Sequence, residues 1–169
     1  MLPKTIKNAN VFFEGDSWAG RFDEVTFGKL ARKLEGYRGG GMGAEIKIDL
    51  GYDMPEPEVT LKEHMPALIK AWGECAADGV LLRILAGANS DGPNCPHDTI
   101  ELVMRCRPME IDFGSYKAGS LTDKKVQLTT SYFKYVLNGV TLIELDPVNM
   151  IEVVGGVDRT EKLREAIGV

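Results

Sequence analysis

The chain is poor in the side chains that most chemistry needs. It has two histidines and three cysteines in 169 residues, and Cys75, Cys95 and Cys106 are odd in number and unevenly spaced. That pattern excludes a disulfide framework and is expected of reduced, structural thiols. Cys95, His97 and Cys106 do not make a structural zinc site, which needs four ligands, usually in paired short spacings. A basic surplus is missing too: 25 acidic side chains against 20 basic ones leave a net charge of −5. Proteins that grip nucleic acid draw their affinity from phosphate neutralisation, so gripping is excluded, though lying near DNA is not. No apolar run reaches the length of a membrane span, and the start at Met1 has none of the features of a signal peptide. A soluble, cytosolic product is expected.

What the chain does have is glycine in one place and alternating apolar residues almost everywhere else. Gly39, Gly40, Gly41 and Gly43 follow a charged run from Lys29 and the pair Tyr37 and Arg38. Neither G-x-G-x-x-G nor Gly-Lys-Ser/Thr fits this tract, so a phosphate cradle is not expected. A segment so loose builds no core. Its expected use is to reach from the body and become ordered only against another molecule. Tyr37 and Arg38 could stack on a base, but these residue types are enriched at protein interfaces, and a neighbouring protein is the better partner.

The alternating segments read as strands. Val11 to Glu14 and Ser17 to Gly20 form a hairpin about Gly15 and Asp16. Residues 45 to 50 place Ile46, Ile48 and Leu50 opposite Glu45, Lys47 and Asp49. Val80 to Ala86 is denser, as in a strand covered on both faces. Residues 98 to 107 alternate again, with Leu102, Met104 and Cys106 on one side, and a polar loop from Asn89 to Pro96 separates these two runs. Asn138 and Gly139 mark a two-residue hairpin. Its register sets Leu137 against Val140, Tyr135 against Leu142 and Lys134 against Ile143. Both faces of that hairpin carry apolar residues, so one requires a cover from outside.

Two helices are expected. One starts at Pro66, runs to about Ala77 and carries Leu68, Ile69, Trp72, Cys75 and Ala76 on one face. The other covers residues 159 to 167, opened by a capping-box spacing from Asp158 to Glu161, and needs somewhere to dock Leu163 and Ile167. The fold class is mainly β with a flanking helix, an antiparallel sandwich or barrel-like arrangement in a single domain over residues 1 to 169. Glu110 with Asp112, and Glu144 with Asp146, are the available carboxylate pairs. Neither comes with a nucleophile or a cleft signature, so catalysis is not expected.

Short segments in a fixed order carry a resemblance. They are Asn8 to Phe12, Lys29 to Lys33, Tyr37 to Met42, Ile48 to Gly51, Met104 to Asp112, Glu144 to Met150, and Gly156 to Arg159 leading into the last helix. Over essentially its whole length the chain resembles the major tail tube proteins of contractile-tailed bacteriophages and of R-type tailocins. The resemblance implies hexameric rings closed into one β-barrel and stacked into a tube. It implies no enzyme activity and no cofactor or metal. The partners it implies are other copies of the chain, the tail sheath, tape measure, baseplate hub and tail terminator proteins, with DNA passing through the lumen without specific binding. The implied location is the virion tail, inside the sheath, after assembly in the host cytoplasm.

Under that resemblance Lys29, Leu30, Lys33, Tyr37, Arg38, Gly39, Gly40, Gly41 and Met42 form an inter-subunit attachment loop. A bore that must pass DNA without holding it should be hydrophilic and net negative. Glu45, Lys47, Asp49, Glu58, Glu101, Glu110 and Asp112 are the candidate lumen residues, and Arg105 and Arg107 oppose a uniformly acidic lining. Phage tail and headless tailocin look alike at this level. The rival reading is a non-catalytic β-sandwich binding module of a baseplate or adhesin type.

Overall fold

A computed structural model describes residues 2–92 and 94–168. The strands are β1 (Thr5–Phe13), β2 (Asp16–Ser17), β3 (Phe22–Thr26), β4 (Ala31–Tyr37), β5 (Ile46–Asp53) and β6 (Glu58–Leu61), followed by α1 (Pro66–Ala71). Then come β7 (Val80–Asn89), β8 (His97–Asp112), β9 (Lys124–Leu137), β10 (Val140–Asp146), β11 (Ile151–Val154), β12 (Val157–Asp158) and α2 (Glu161–Ile167). Every pairing is antiparallel. The main sheet runs β12-β11-β10-β9-β8-β7-β1-β2, while β6 branches from β9 and carries β3; β4 and β5 pair only with each other.

The branch arises from two register shifts in the β8–β9 ladder, between Arg105 and Cys106 and between Pro108 and Glu110. Bulges increase local twist and bend a strand. One end of β9, Phe133 to Leu137, therefore lies beside β10, and the other, Lys124 to Gln127, beside β6. Between the main sheet and the β3–β6 leaf sits the core. It holds Val11, Trp18, Leu61, Leu82, Met104 and Leu128, each almost fully buried. Trp18 stacks on Phe13 with ring centroids 4.8 Å apart. Each such side chain contributes about 1.5–3 kcal/mol relative to its exposed state.

The strand readings of residues 45–50, 80–86 and 98–107 hold, with Leu102, Met104 and Cys106 inward. Four details differ. The first hairpin turns on Glu14 and Gly15, with φ of 49° and 91°, so glycine takes the second central position rather than the first. β7 is covered on one face only, because Arg83 points out of the sheet between half-buried Leu81 and Leu85. The Asn138–Gly139 turn is as expected, but a bulge between Thr141 and Ile143 sets Tyr135 against Ile143 and Lys134 against Glu144. That shift brings Ile143 and Leu145 to the core face together. Finally, α1 stops at Trp72, just before Gly73, and buries only Leu68; Ile69, Trp72 and Cys75 are exposed. Two turns offering one buried leucine cannot be extended through a glycine.

Asn138 also stitches its turn to β8. Its side-chain oxygen accepts from Thr99 N at 2.9 Å, its Nδ2 donates to Asp98 at 2.8 Å, and Lys4 reaches the same carboxylate at 2.7 Å. These bonds, that from Asn138 first, hold the Asp98 carboxyl below its ordinary range.

Gly139 has φ of 80° and nothing within 4 Å of where a Cβ would stand. Gly139→Ala therefore adds backbone strain without a clash. The expected loss is about 1–2 kcal/mol in chemical denaturation, with the circular dichroism spectrum unchanged.

Candidate assembly surfaces

The glycine-rich segment is not a loose loop. Residues 31–37 and 46–53 pair into a two-stranded ribbon with the glycines at its tip. The expectation that it orders only against another molecule is corrected: its own two strands satisfy much of each other's backbone. At the tip Arg38 Nε donates to the Met42 carbonyl at 3.3 Å, and Met42 N donates to the Gly39 carbonyl at 3.2 Å. At the foot, Gly28 has φ of 71°, and a Cβ there would lie 2.5 Å from the Glu56 carbonyl, so the two ends of the arm pass where only glycine fits.

The arm projects apolar side chains into solvent. Leu30, Leu34, Tyr37, Ile46, Ile48 and Leu50 are all exposed, Leu50 by 60%. The cross-strand pairs Tyr37–Ile46 and Glu35–Ile48 put Tyr37, Ile46 and Ile48 on one face. A register shift opposite Lys33 removes Leu50 from the regular alternation expected of it. Lys33 pairs with Asp53 at 2.7 Å, and Lys29 lies in the lead-in before β4.

Arg32, which sequence reasoning passed over, ties the arm to the body. It bonds to the buried Glu152 of β11, pairs with Asp49 at 3.2 Å and lies 5.7 Å from the centre of the Tyr52 ring. Glu152 and Asp49 raise the Arg32 pKa, the hydrogen bond that Arg32 donates to Glu152 being the largest cause. Glu152 is buried between half-buried Ile151 and Val153 on β11, so its carboxylate needs such a partner.

The seven candidate lumen residues do not share one surface. Glu45, Lys47 and Asp49 lie on or beside the arm, and the Glu45 carboxylate covers Gly36. Glu101, Glu110 and Asp112 lie on the outer face of β8, and Glu58 on β6 reaches Lys125 at 3.1 Å. Glu101 pairs with Arg83 at 2.6 Å, and Arg105 and Arg107 share its face. Lys134 and Glu144 face each other there at 3.6 Å. That outer face is charge-balanced, not acidic.

Three further features were not legible in the sequence. The outer edges of β3 and of β1 from Thr5 to Asn10 pair with no strand among the described residues. An apolar cleft opens between β3 and the sheet. Helix α2 buries no residue, and Leu163 and Ile167, expected to dock, stand exposed at 53% and 56%. The expected capping box does not form. Instead Asp158 accepts from Thr160 N at 2.9 Å and pairs with Arg164 at 2.5 Å, while Arg164 donates to the Met150 carbonyl at 2.7 Å. Burial pushes the Cys106 thiol up to about 12, which makes it inert. Among the described residues no cluster of histidine, cysteine or carboxylate is placed to hold a metal, and no helix is long and apolar enough to cross a membrane.

A sheet with open edges and a projecting apolar ribbon is the architecture of a subunit that joins others, and solved assemblies contain the same fold. A chain of the anti-feeding prophage tube-terminating cap superposes with a TM-score of 0.59 at 12% identity, covering 81% of this chain and 91% of that one. A chain of the sheath–tube complex of the PVC extracellular contractile injection system gives 0.56 at 14% identity, covering 80% and 90%. Residues 3–168 match the model for phage tail tube protein FII, and the chain belongs to that family. The tail tube protein of Escherichia phage P2 is 38% identical over 99% of both chains. The major tail tube protein of Serratia phage KSP20 is 30% identical over 89% of this chain and 86% of its own. The chain is thus a structural subunit of a tail tube.

The Arg164 hydrogen bond, chiefly, holds the Asp158 carboxyl at about 2, against an ordinary 3.8. A depressed carboxylate pKa adds stability that is complete above the ordinary value and fades as pH falls toward the folded one. Titration by NMR should find the α2 amide signals unchanged at pH 5 and shifting between about pH 4 and 2. In Asp158→Asn that step is lost.

Proposed function

We propose that the chain closes with identical copies into hexameric rings that stack into the inner conduit of a contractile tail. The observation that carries this reading is the set of unpaired margins: β3, the first half of β1, and both strands of the arm. Open edges invite strands from other chains, and a free monomer would aggregate through them. A head-to-tail contact that returns on itself removes them, giving a ring, and a ring of tilted strands is a barrel. The arm from Lys29 to Met42 serves as the inter-subunit attachment element, because it exposes apolar side chains that its own chain does not cover. Such rings would be assembled in the host cytoplasm around a tape measure protein, start on a baseplate hub, end at a terminator and be enclosed by a sheath.

The outer face of the main sheet is the proposed lining of the bore, with Glu58, Glu101, Glu110 and Asp112 beside Arg83, Arg105 and Arg107. Acids and bases are near balance there, and Arg83, Lys125 and Lys134 are held in ion pairs, so the face draws DNA only weakly and the strand slides without specific binding. Glu45, Lys47 and Asp49, being on or next to the arm, belong to subunit contacts instead.

Electron microscopy of the purified protein at rising concentration tests the assembly. Hollow tubes whose cross-sections average with sixfold symmetry are expected; particles that stay monomeric at millimolar concentration, or tubes of another symmetry, would sink the reading. The lining is tested separately in phage that carry Glu101→Lys and Glu110→Lys together. Intact tails with DNA release that slows at low salt and recovers at high salt are expected, since each added cation contributes salt-sensitive phosphate affinity.

A further inference from the structure

Asn138 and Gly139 form the only asparagine–glycine pair in the chain, and such a pair is prone to a spontaneous covalent change. The Gly139 backbone nitrogen, once it has lost its proton to solvent, can attack the Asn138 Cγ. A bond forms between that nitrogen and Cγ, the Cγ–Nδ2 bond breaks, and Nδ2 leaves as ammonia with a proton from water. Water then opens the cyclic imide to aspartate or isoaspartate. Glycine favours this step because no side chain shields its nitrogen or restricts its dihedral angles. Both residues are exposed, and nothing stands within 4 Å of where a Gly139 Cβ would be. Burial and crowding therefore give the pair no protection.

Hydrogen bonds supply it instead. Attack requires Cγ to come within about 3–3.5 Å of the Gly139 nitrogen in an aligned geometry. Both ends of the Asn138 amide are held on β8: Oδ1 accepts from Thr99 N at 2.9 Å, and Nδ2 donates to Asp98 at 2.8 Å. The Asn138 backbone is fixed as well, since its N–H donates to the Thr99 carbonyl at 2.9 Å. Lys4 grips the same Asp98 oxygen at 2.7 Å. Asp98 is a carboxylate at neutral pH, so it only accepts and cannot turn a donor toward Nδ2. Rotating the amide toward Gly139 breaks both side-chain bonds, one of them to a charged group. We infer that Asn138 is a latent deamidation site, held closed in the folded chain by Asp98 and Thr99 and opened when the Asp98 bond is lost. The product does not restore the contact. Aspartate at this position sets a second carboxylate against Asp98 where a donor stood, and isoaspartate adds an atom to the turn backbone. Either product releases the β9–β10 turn from β8.

Peptide mass spectrometry of the full-length protein, kept in dilute solution at neutral pH and sampled over weeks, tests this. Aspartate and isoaspartate are measured at position 138, with Asn8, Asn10 and Asn149 as references in the same molecule. Each side-chain bond that must break slows attack by about tenfold, so native chains should change at Asn138 about a hundredfold more slowly than urea-unfolded chains. Asp98→Ala, shown to be folded by circular dichroism, should speed the change at Asn138 by about tenfold and leave the references as they were. Asp98→Asn keeps an acceptor oxygen at that position and should stay near the unaltered rate. Equal rates in native and unfolded chains overturn the assignment. So does an Asp98→Ala protein that deamidates no faster than the unaltered one, or an acceleration shared equally by Asn8, Asn10 and Asn149. The ratio of native to unfolded rates needs no variant, and it decides the matter alone if Asp98→Ala does not fold.

Discussion

The β8–β9 ladder is the constraint from which the rest of the molecule follows. These are the two longest strands, at 16 and 14 residues. Everything else in the main sheet is arranged about them: β7 and β1 beside β8, β10 and β11 beside β9, and the β3–β6 leaf branching from the far end of β9. The two bulges in the ladder decide this. Without them β9 would run straight, β6 would extend the same layer, and Val59, Leu61 and Val126 would have no opposing wall. With them one sheet turns back over itself and encloses a core. Cys106 and Pro108 remain inward through the first shift, and Ile111 returns to the core after the second.

That enclosure is incomplete, and the proposed assembly rests on what it leaves open. A chain that ended its leaf at β3 and its sheet at β1 leaves ladder groups unpaired and an apolar slot unfilled. The same chain spends some twenty residues on a ribbon with no core of its own. An isolated two-stranded hairpin is marginal in water, and this one is held at its foot by Arg32, Glu152, Asp49 and the crowded passage of Gly28 past Glu56. Held at the base and exposing Leu34, Tyr37, Ile46, Ile48 and Leu50, the ribbon is an ordered projection rather than a disordered tether. Ion pairs of Arg83, Lys125 and Lys134 bring the outer sheet face near charge balance.

Much of this was legible residue by residue. The alternation of Leu102, Met104 and Cys106 found the inward face of β8, and the Asn138–Gly139 dipeptide found its turn, because both depend on neighbours within a few residues. The bulges did not announce themselves, so the partners of Tyr135 and Lys134 slipped by one position, and Leu50 left its expected face. The arm was located by its glycines but read as unstructured, because glycine content reports freedom and not the partner strand that removes it. Lumen candidates chosen by charge alone divided between two surfaces, since charge says nothing about which strand reaches which face.

Local chemistry in the sequence therefore determined the β character, the strongest turn, the terminal helix and, through motifs in fixed order, the kind of protein this is. Tertiary structure alone decided that Glu152 would be buried against Arg32, that Leu163 and Ile167 would find no berth in their own chain, and that β3 would stop short of closing the sandwich. The reason is physical: periodicity encodes which way a side chain points along its own strand, whereas pairing between residues more than a hundred positions apart depends on where accumulated twist and bulges carry each strand.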